Sequence, residues 1–349
     1  MRLKIHHTTT YRYGCDVVLQ PHLLMLCPRG SQDLDVLASS ITCSPEAELA
    51  WTRDVFGNLI ATATFTRPTI QLVIKSEASV EQSAATWPVF PIAPSAHSFP
   101  FEYAADDAID LGALLAAERS DRVQAREWAA AFVRSNPTDT LSLLKDINAG
   151  VLASVIYRVR DEEGTQSAAE TLTKGSGSCR DIAELFIEAV RHLGFGARAV
   201  SGYLFDPHVQ PGDPGSTHAW AEVYLPGAGW IAFDPTQRRV GEANLTPVAV
   251  ARSNRQIMPI VGAYLGAPTD FVGMDVAVRA DRDRDSGRRP RGCRCGALSA
   301  RRQAPKARFA SLPRAPQSSR RRARYARAAS PKRQAGNDRA DAPAGRRRR

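Results

Sequence analysis

No apolar run in this chain approaches the roughly 18 residues that a membrane-spanning helix needs, so no such helix is predicted. The first ten residues, Met1 to Thr10, carry charge but no apolar segment behind it. No secretory signal is therefore expected, and the expected location is the cytoplasm. Cysteine is scarce: Cys15, Cys27, Cys43, Cys179, Cys293 and Cys295 are unevenly spaced, unlike the dense framework of a disulfide-stapled secreted domain. Cys293 and Cys295 have one residue between them and no second ligand pair nearby, so neither a metal nor a cofactor is expected. Cys15, Cys27 and Cys43 read as small buried or half-exposed strand residues. Internal repeats are missing as well.

Acidic charge is nearly absent from the last fifth of the chain. Residues 281–349 hold 23 of the 46 Lys and Arg but only 5 of the 36 Asp and Glu. The formal net charge of +10 is thus a property of this tail, and the body is acidic on balance. The tail's large apolar residues are Leu298, Phe309, Leu312 and Tyr325, too few to offset the entropy of ordering it, so disorder is predicted. Arg320, Arg321, Arg322 and Arg324, with Arg346 to Arg349, would attract polyanions at low salt. No nucleic-acid module or stacking platform accompanies them, so no nucleic-acid role is expected beyond that attraction. Arg, Ala, Pro and Gly are also what GC-rich DNA encodes out of frame, and an extension outside the folded protein is the preferred reading.

What remains is enough for two modest domains. Residues 1–81 alternate and are rich in β-branched and aromatic residues, punctuated at Pro28-Arg29-Gly30, Ser44-Pro45 and Asp54-Val55-Phe56-Gly57-Asn58. That pattern predicts a small antiparallel sandwich. Residues 82–110 form a connector in which Pro88, Pro91, Pro94 and Pro100 recur. Ser120-Asp121 can cap a helix running through Trp128 to Arg134. Thr138-Asp139 can cap the next, with Leu141, Leu144, Ile147, Val151 and Val155 on one face.

The most informative segment is Gly175-Ser176-Gly177-Ser178-Cys179-Arg180-Asp181. Behind it, Ile182, Leu185, Phe186, Ala189, Val190 and Leu193 recur at helical spacing, and Gly194 ends the helix. Cys179 then sits in a first helical turn, where unpaired N–H groups and the helix dipole stabilise a thiolate. A buried strand, 197–204, and a Pro/Gly loop, 206–216, long enough to line a cleft follow. Next comes a hairpin of 217–225 and 230–236 that carries His218 near its open end and Asp234 opposite or diagonal to it. Whether the two share a face depends on a register that the sequence leaves open. A helix-borne thiol followed by a base and an acid on paired strands is a constellation for nucleophilic catalysis.

Gly177-Ser178-Cys179-Arg180-Asp181, Thr217-His218-Ala219-Trp220-Ala221-Glu222-Val223 and Gly229-Trp230-Ile231-Ala232-Phe233-Asp234-Pro235-Thr236 together resemble the bacterial transglutaminase-like family. Ile5-His6-His7-Thr8-Thr9-Thr10-Tyr11-Arg12-Tyr13 and Asp54-Val55-Phe56-Gly57-Asn58 resemble its N-terminal β region. Ile182 departs from the family's aromatic at that position. The resemblance implies an α+β fold: an N-terminal sandwich-like domain, then a papain-like core (111–280) whose nucleophile helix packs on an antiparallel sheet. It also implies Cys179 as nucleophile, His218 as base and Asp234 as orienter, with a peptide or protein substrate. Hydrolysis is the expected outcome. Protein cross-linking and a non-catalytic peptide-binding scaffold are the alternatives. The Cys179 N–H is the expected oxyanion donor, with Tyr157 or Trp220 open as a second; Arg180 and Asp181 are expected to fix the helix start.

Overall fold

Period-two burial builds the first strand, β1 (Arg2–Leu19), in which Leu3, Ile5, His7 and Thr9 face inward and Arg2, Lys4 and His6 outward. The structure, a computed structural model, describes residues 1–118, 122–160, 162–207 and 217–283. After β1 come β2 (His22–Leu24), β3 (Leu34–Ser44), β4 (Ala47–Arg53), β5 (Leu59–Phe65) and β6 (Thr69–Gln82). β6 and β3 extend the sheet begun by β1, while β2, β5 and β4 form a second sheet. Val17, Leu24, Leu26, Ala61, Leu72 and Ile74 fill the space between, each large aliphatic contributing about 1.5–3 kcal/mol of burial. The predicted sandwich is present. Ile70, which shares the alternation of Leu72 and Ile74 on β6, lies beyond this core and is 59% exposed.

The connector is more structured than its prolines suggest. β7 (Ser98–Phe99) pairs with β8 (Thr138–Asp139), and two short helices, α1 (Ala105–Leu111) and α2 (Arg122–Ala130), lie between them. The predicted cap of α2, Ser120-Asp121, lies outside the described residues. α2 stops at Ala130 rather than Arg134, because Phe132 and Val133 turn back to the carbonyls of Ala129 and Ala130. Asp139 caps α3 (Thr140–Ser154) by accepting from the Ser142 N–H at 2.7 Å. Of the predicted stripe, Leu144, Ile147, Val151 and Val155 are buried and Leu141 is partly buried.

β9 (Ile156–Tyr157) then leads through α4 (Ala168–Lys174) to β10 (Ser176–Gly177), with which it pairs in parallel, and into α5 (Cys179–His192). The sequence pattern suggests a one-sided helix, yet α5 is buried on all sides from Asp181 to Arg191. Its polar residues are tolerated because each has partners. Glu188 and Arg191 pair at 2.9 Å, Arg191 also donates to three backbone carbonyls, and Glu184 accepts from Asn254.

α5 lies against an antiparallel sheet of β11 (Ala197–Leu204), β12 (Thr217–Leu225), β13 (Gly229–Asp234), β14 (Arg239–Val240) and β15 (Leu245–Ala251), in the order β14-β13-β12-β11-β15. Ala199, Ala221, Val223 and Phe233 share its core with Ile182, Leu185 and Phe186. Phe186 stacks on Phe233 with centroids 5.4 Å apart. Leu3, Ile5 and Val80 of the first sheet belong to the same cluster, so the two halves share a core.

The chain then returns to the sandwich. β16 (Ile260–Val261) pairs with β2, and β17 (Tyr264–Leu265) and β18 (Phe271–Arg282) pair with β1. β18, mostly within the segment read as core, thus completes the N-terminal sheet and continues two residues into 281–349, with Asp281 and Arg282 opposite Lys4 and Leu3. The predicted disorder from residue 284 onward, Cys293 and Cys295 lie outside the described residues, as do residues 208–216 of the expected cleft loop.

Candidate active site

Cys179 is the first residue of α5, half-buried and free. Its position is fixed from beneath by Asp181, whose side chain is fully buried. Asp181 Oδ2 accepts from the Ser178 N–H at 2.8 Å and the Ser178 hydroxyl at 2.7 Å; Oδ1 accepts from the Gln166 N–H at 2.7 Å. Arg160 Nε lies 2.9 Å from Oδ2 and supplies the opposite charge. An acid at the third helical position that bonds the capping residue's N–H is half of a capping-box arrangement, and the Asp181 N–H itself turns back to the Ser178 carbonyl at 3.0 Å. Gly177 is required by close approach, since a Cβ there would lie 2.8 Å from Asp181 Cβ. Arg180 donates to the carbonyls of Gly164 (2.7 Å) and Glu162 (2.6 Å), tying residues 162–164 to the helix start.

The hairpin register answers what the sequence left open. Ala221 pairs with Phe233, so the next rung sets Trp220 level with Asp234, and His218 lies diagonally on the same face. His218 Nε2 is 2.7 Å from Asp234 Oδ2, and both residues are buried. Asp234 Oδ1 is held by the Gln237 N–H at 3.1 Å. Cys179 lies close enough to His218 to add to the shift of its pKa. Nε2 is engaged by Asp234, so Nδ1 is the nitrogen available to sulfur. Burial alone would lower the pKa of His218, but the charge and hydrogen bond of Asp234, with Cys179 adding to them, push it up to about 10. The ring therefore favours the imidazolium form.

Trp220 stacks on His218, with centroids 6.0 Å apart and planes 25° from parallel. Opposite His218 on β11 stands Gly202, where a Cβ would come within 2.1 Å of the Thr246 carbonyl. Phe56, from the turn between β4 and β5, packs against the cluster that Trp220 forms with Val200, Ala232, Leu245 and Val250. That turn is bolted to the sheet by Asn58, whose amide donates to the Val250 carbonyl and accepts from the Val250 N–H, at 2.7 and 2.9 Å. Arg29 and Asp54 take up its remaining bonds. No local sequence signal announces this docking; it is a contact across 192 positions.

The two candidates for a second oxyanion donor are separated by exposure. Trp220 is fully buried, as a core aromatic, so no substrate reaches its N–H. Tyr157 is 43% exposed. Its phenol pKa is raised, first by partial burial and then by the charge of Cys179 nearby. Ser178 and Asp181 are legible in retrospect as an S-x-x-D helix-start signature, whereas Gln166 and Arg160 carry no such mark. Among the described residues no cluster of His, Cys, Asp and Glu could hold a metal ion, and no helix is long and apolar enough to cross a membrane.

Residues 126–235 match the family model of the transglutaminase-like superfamily, and residues 3–81 match that of the bacterial transglutaminase-like N-terminal region. An uncharacterized protein of Mycobacterium tuberculosis is 28% identical over 298 residues, covering 79% of this chain and 92% of the relative. One from Mycobacterium leprae is 24% identical over 302 residues, covering 80% and 99%. The solved structure of a candidate cysteine protease from Cytophaga hutchinsonii is similar with a TM-score of 0.62 at 22% identity, over 81% of this chain and 92% of that one. At that identity the likeness shows a shared fold.

Proposed function

From a chain that carries a transglutaminase-like core behind a bacterial transglutaminase-like N-terminal region, we propose a cysteine acyl-transfer enzyme that hydrolyses amide bonds in peptides or proteins. The observation that carries the reading is the buried His218 imidazole, held by Asp234 at 2.7 Å on Nε2 and near enough to Cys179 for the thiol to add to its pKa shift. The Cys179 thiolate attacks the amide carbonyl, and a C–S bond forms. The oxyanion is received by the free Cys179 N–H and by the Tyr157 hydroxyl. His218 gives its proton to the leaving amine, the C–N bond breaks, and a thioester remains. Neutral His218 then takes a proton from water, whose oxygen attacks the thioester and releases the acid and the thiolate. Asp234 orients the ring and stabilises its charged form throughout.

Water is the acceptor in this reading because it is always present, while transfer to a lysine amine would need a cleft that selects the amine. The free thiols Cys15, Cys27, Cys43 and Cys179 suit a reducing compartment, and we assign the cytoplasm. Incubating unfolded casein with the full chain in ¹⁸O-water tests the chemistry. Hydrolysis places one ¹⁸O in each new carboxylate and is lost in Cys179→Ala. Casein that stays intact, or cleavage that persists in the variant, would contradict the proposal.

A further inference from the structure

Tyr157 offers more than its phenol. In the parallel ladder of β9 and β10, the N–H of Ile156 reaches the Gly175 carbonyl and the N–H of Arg158 reaches the Gly177 carbonyl, both at 2.9 Å. Parallel pairing turns successive residues to opposite edges, so the N–H and C=O of Tyr157 point away from β10. Among the described residues no strand pairs with that edge, and neither group has a backbone partner. The strand enters beside the nucleophile, since Gly177 is opposite Tyr157 and two residues before Cys179. Flanking apolar side chains are open to solvent, Ile156 at 64% and Val159 at 77%.

Resting on the acyl-transfer reading, we propose that the Tyr157 edge of β9 is a peptide-binding subsite. An extended substrate adds there as a third strand, with one residue exchanging both main-chain hydrogen bonds with Tyr157 and an apolar side chain against Ile156. The substrate class is thereby an extended peptide rather than an isolated carboxamide. Small amides lack the second main-chain group that this edge recognises.

The test uses acetyl-Ala-Leu-Ala chloromethyl ketone, its three singly N-methylated analogues, the acetyl-Ala-Gly-Ala counterpart and iodoacetamide against the full chain, following Cys179 alkylation by mass spectrometry. One N-methyl analogue is expected to react at least about tenfold more slowly than the parent, normalised to glutathione. Ile156→Ala is expected to cut the preference for leucine over glycine about fivefold and leave the iodoacetamide rate unchanged. If all analogues react within about threefold of the parent while iodoacetamide still labels Cys179 selectively, the subsite is overturned and the nucleophile stands. If Ile156→Ala leaves the leucine preference intact, the apolar pocket is overturned. Loss of selective labelling by iodoacetamide itself overturns both readings.

Discussion

Asp234 meets His218 on the diagonal of the β12–β13 hairpin, Oδ2 to Nε2 at 2.7 Å, with both side chains out of solvent. In that setting the carboxylate does two things: it fixes the ring and it favours the charged form. Asp234→Asn keeps the shape and removes the charge. We expect it to lower amide turnover by about three to four orders of magnitude, as loss of the acid does in a related triad. Steady-state kinetics with wild-type-like circular dichroism would check this, and near-wild-type turnover would remove Asp234 from the mechanism.

The same pair makes stability depend on pH. His218 holds its proton more tightly folded than unfolded, its pKa rising from 6.5 to about 10. Its contribution is therefore complete below about pH 6.5 and fades as pH rises toward 10. The Tm advantage of wild type over His218→Gln should be steady up to pH 6.5 and shrink between there and pH 10. An advantage that grows over this window would have the wrong sign.

At the helix start, Asp181 is a buried carboxylate with four partners. Asp181→Ala leaves Arg160, Ser178 and Gln166 without it, and should cost about 3–5 kcal/mol in urea denaturation. A loss below about 1 kcal/mol would mean the network is dispensable.

Asn58 links the N-terminal sandwich to the sheet of β11–β15 through both groups of Val250. Asn58→Ala strands buried bonding groups and is expected to destabilise the protein by about 3 kcal/mol. Through Phe56 and Trp220 it should also slow alkylation of Cys179. Unchanged stability would separate the N-terminal region from the site.

Tyr157→Phe removes the proposed hydroxyl donor but no nucleophile. Amide turnover should fall roughly a hundredfold, while iodoacetamide, which forms no oxyanion, should label Cys179 at the wild-type rate. Turnover that survives the change would exclude the hydroxyl from catalysis.

The positions of Cys179, His218 and Trp220 were legible because each follows a local rule. The Gly175–Ser178 run followed by a helical apolar pattern places Cys179 at a helix start, and the alternation of 217–225 puts His218 and Trp220 on one face. The register of His218 against Asp234 was not legible, since it follows from how the Pro226–Ala228 loop joins Leu225 to Gly229. Nor was the burial of α5 on every side. Glu188 and Arg191 look like surface charges until the carbonyls of Leu114, Ala197 and Arg252 are brought around them. Residues 271–280 read only as the end of the core, and closure of the chain shows that β1 takes them as β18.

The central claim is an activated thiolate–imidazolium pair at Cys179 and His218. Its most direct test is the rate of iodoacetamide labelling between pH 5 and 8, mapped by mass spectrometry, for wild type and His218→Ala. The account predicts fast, selective modification of Cys179 at mildly acidic pH that collapses in the variant. Labelling no faster than at Cys15, Cys27 or Cys43, or indifferent to the loss of His218, would contradict it.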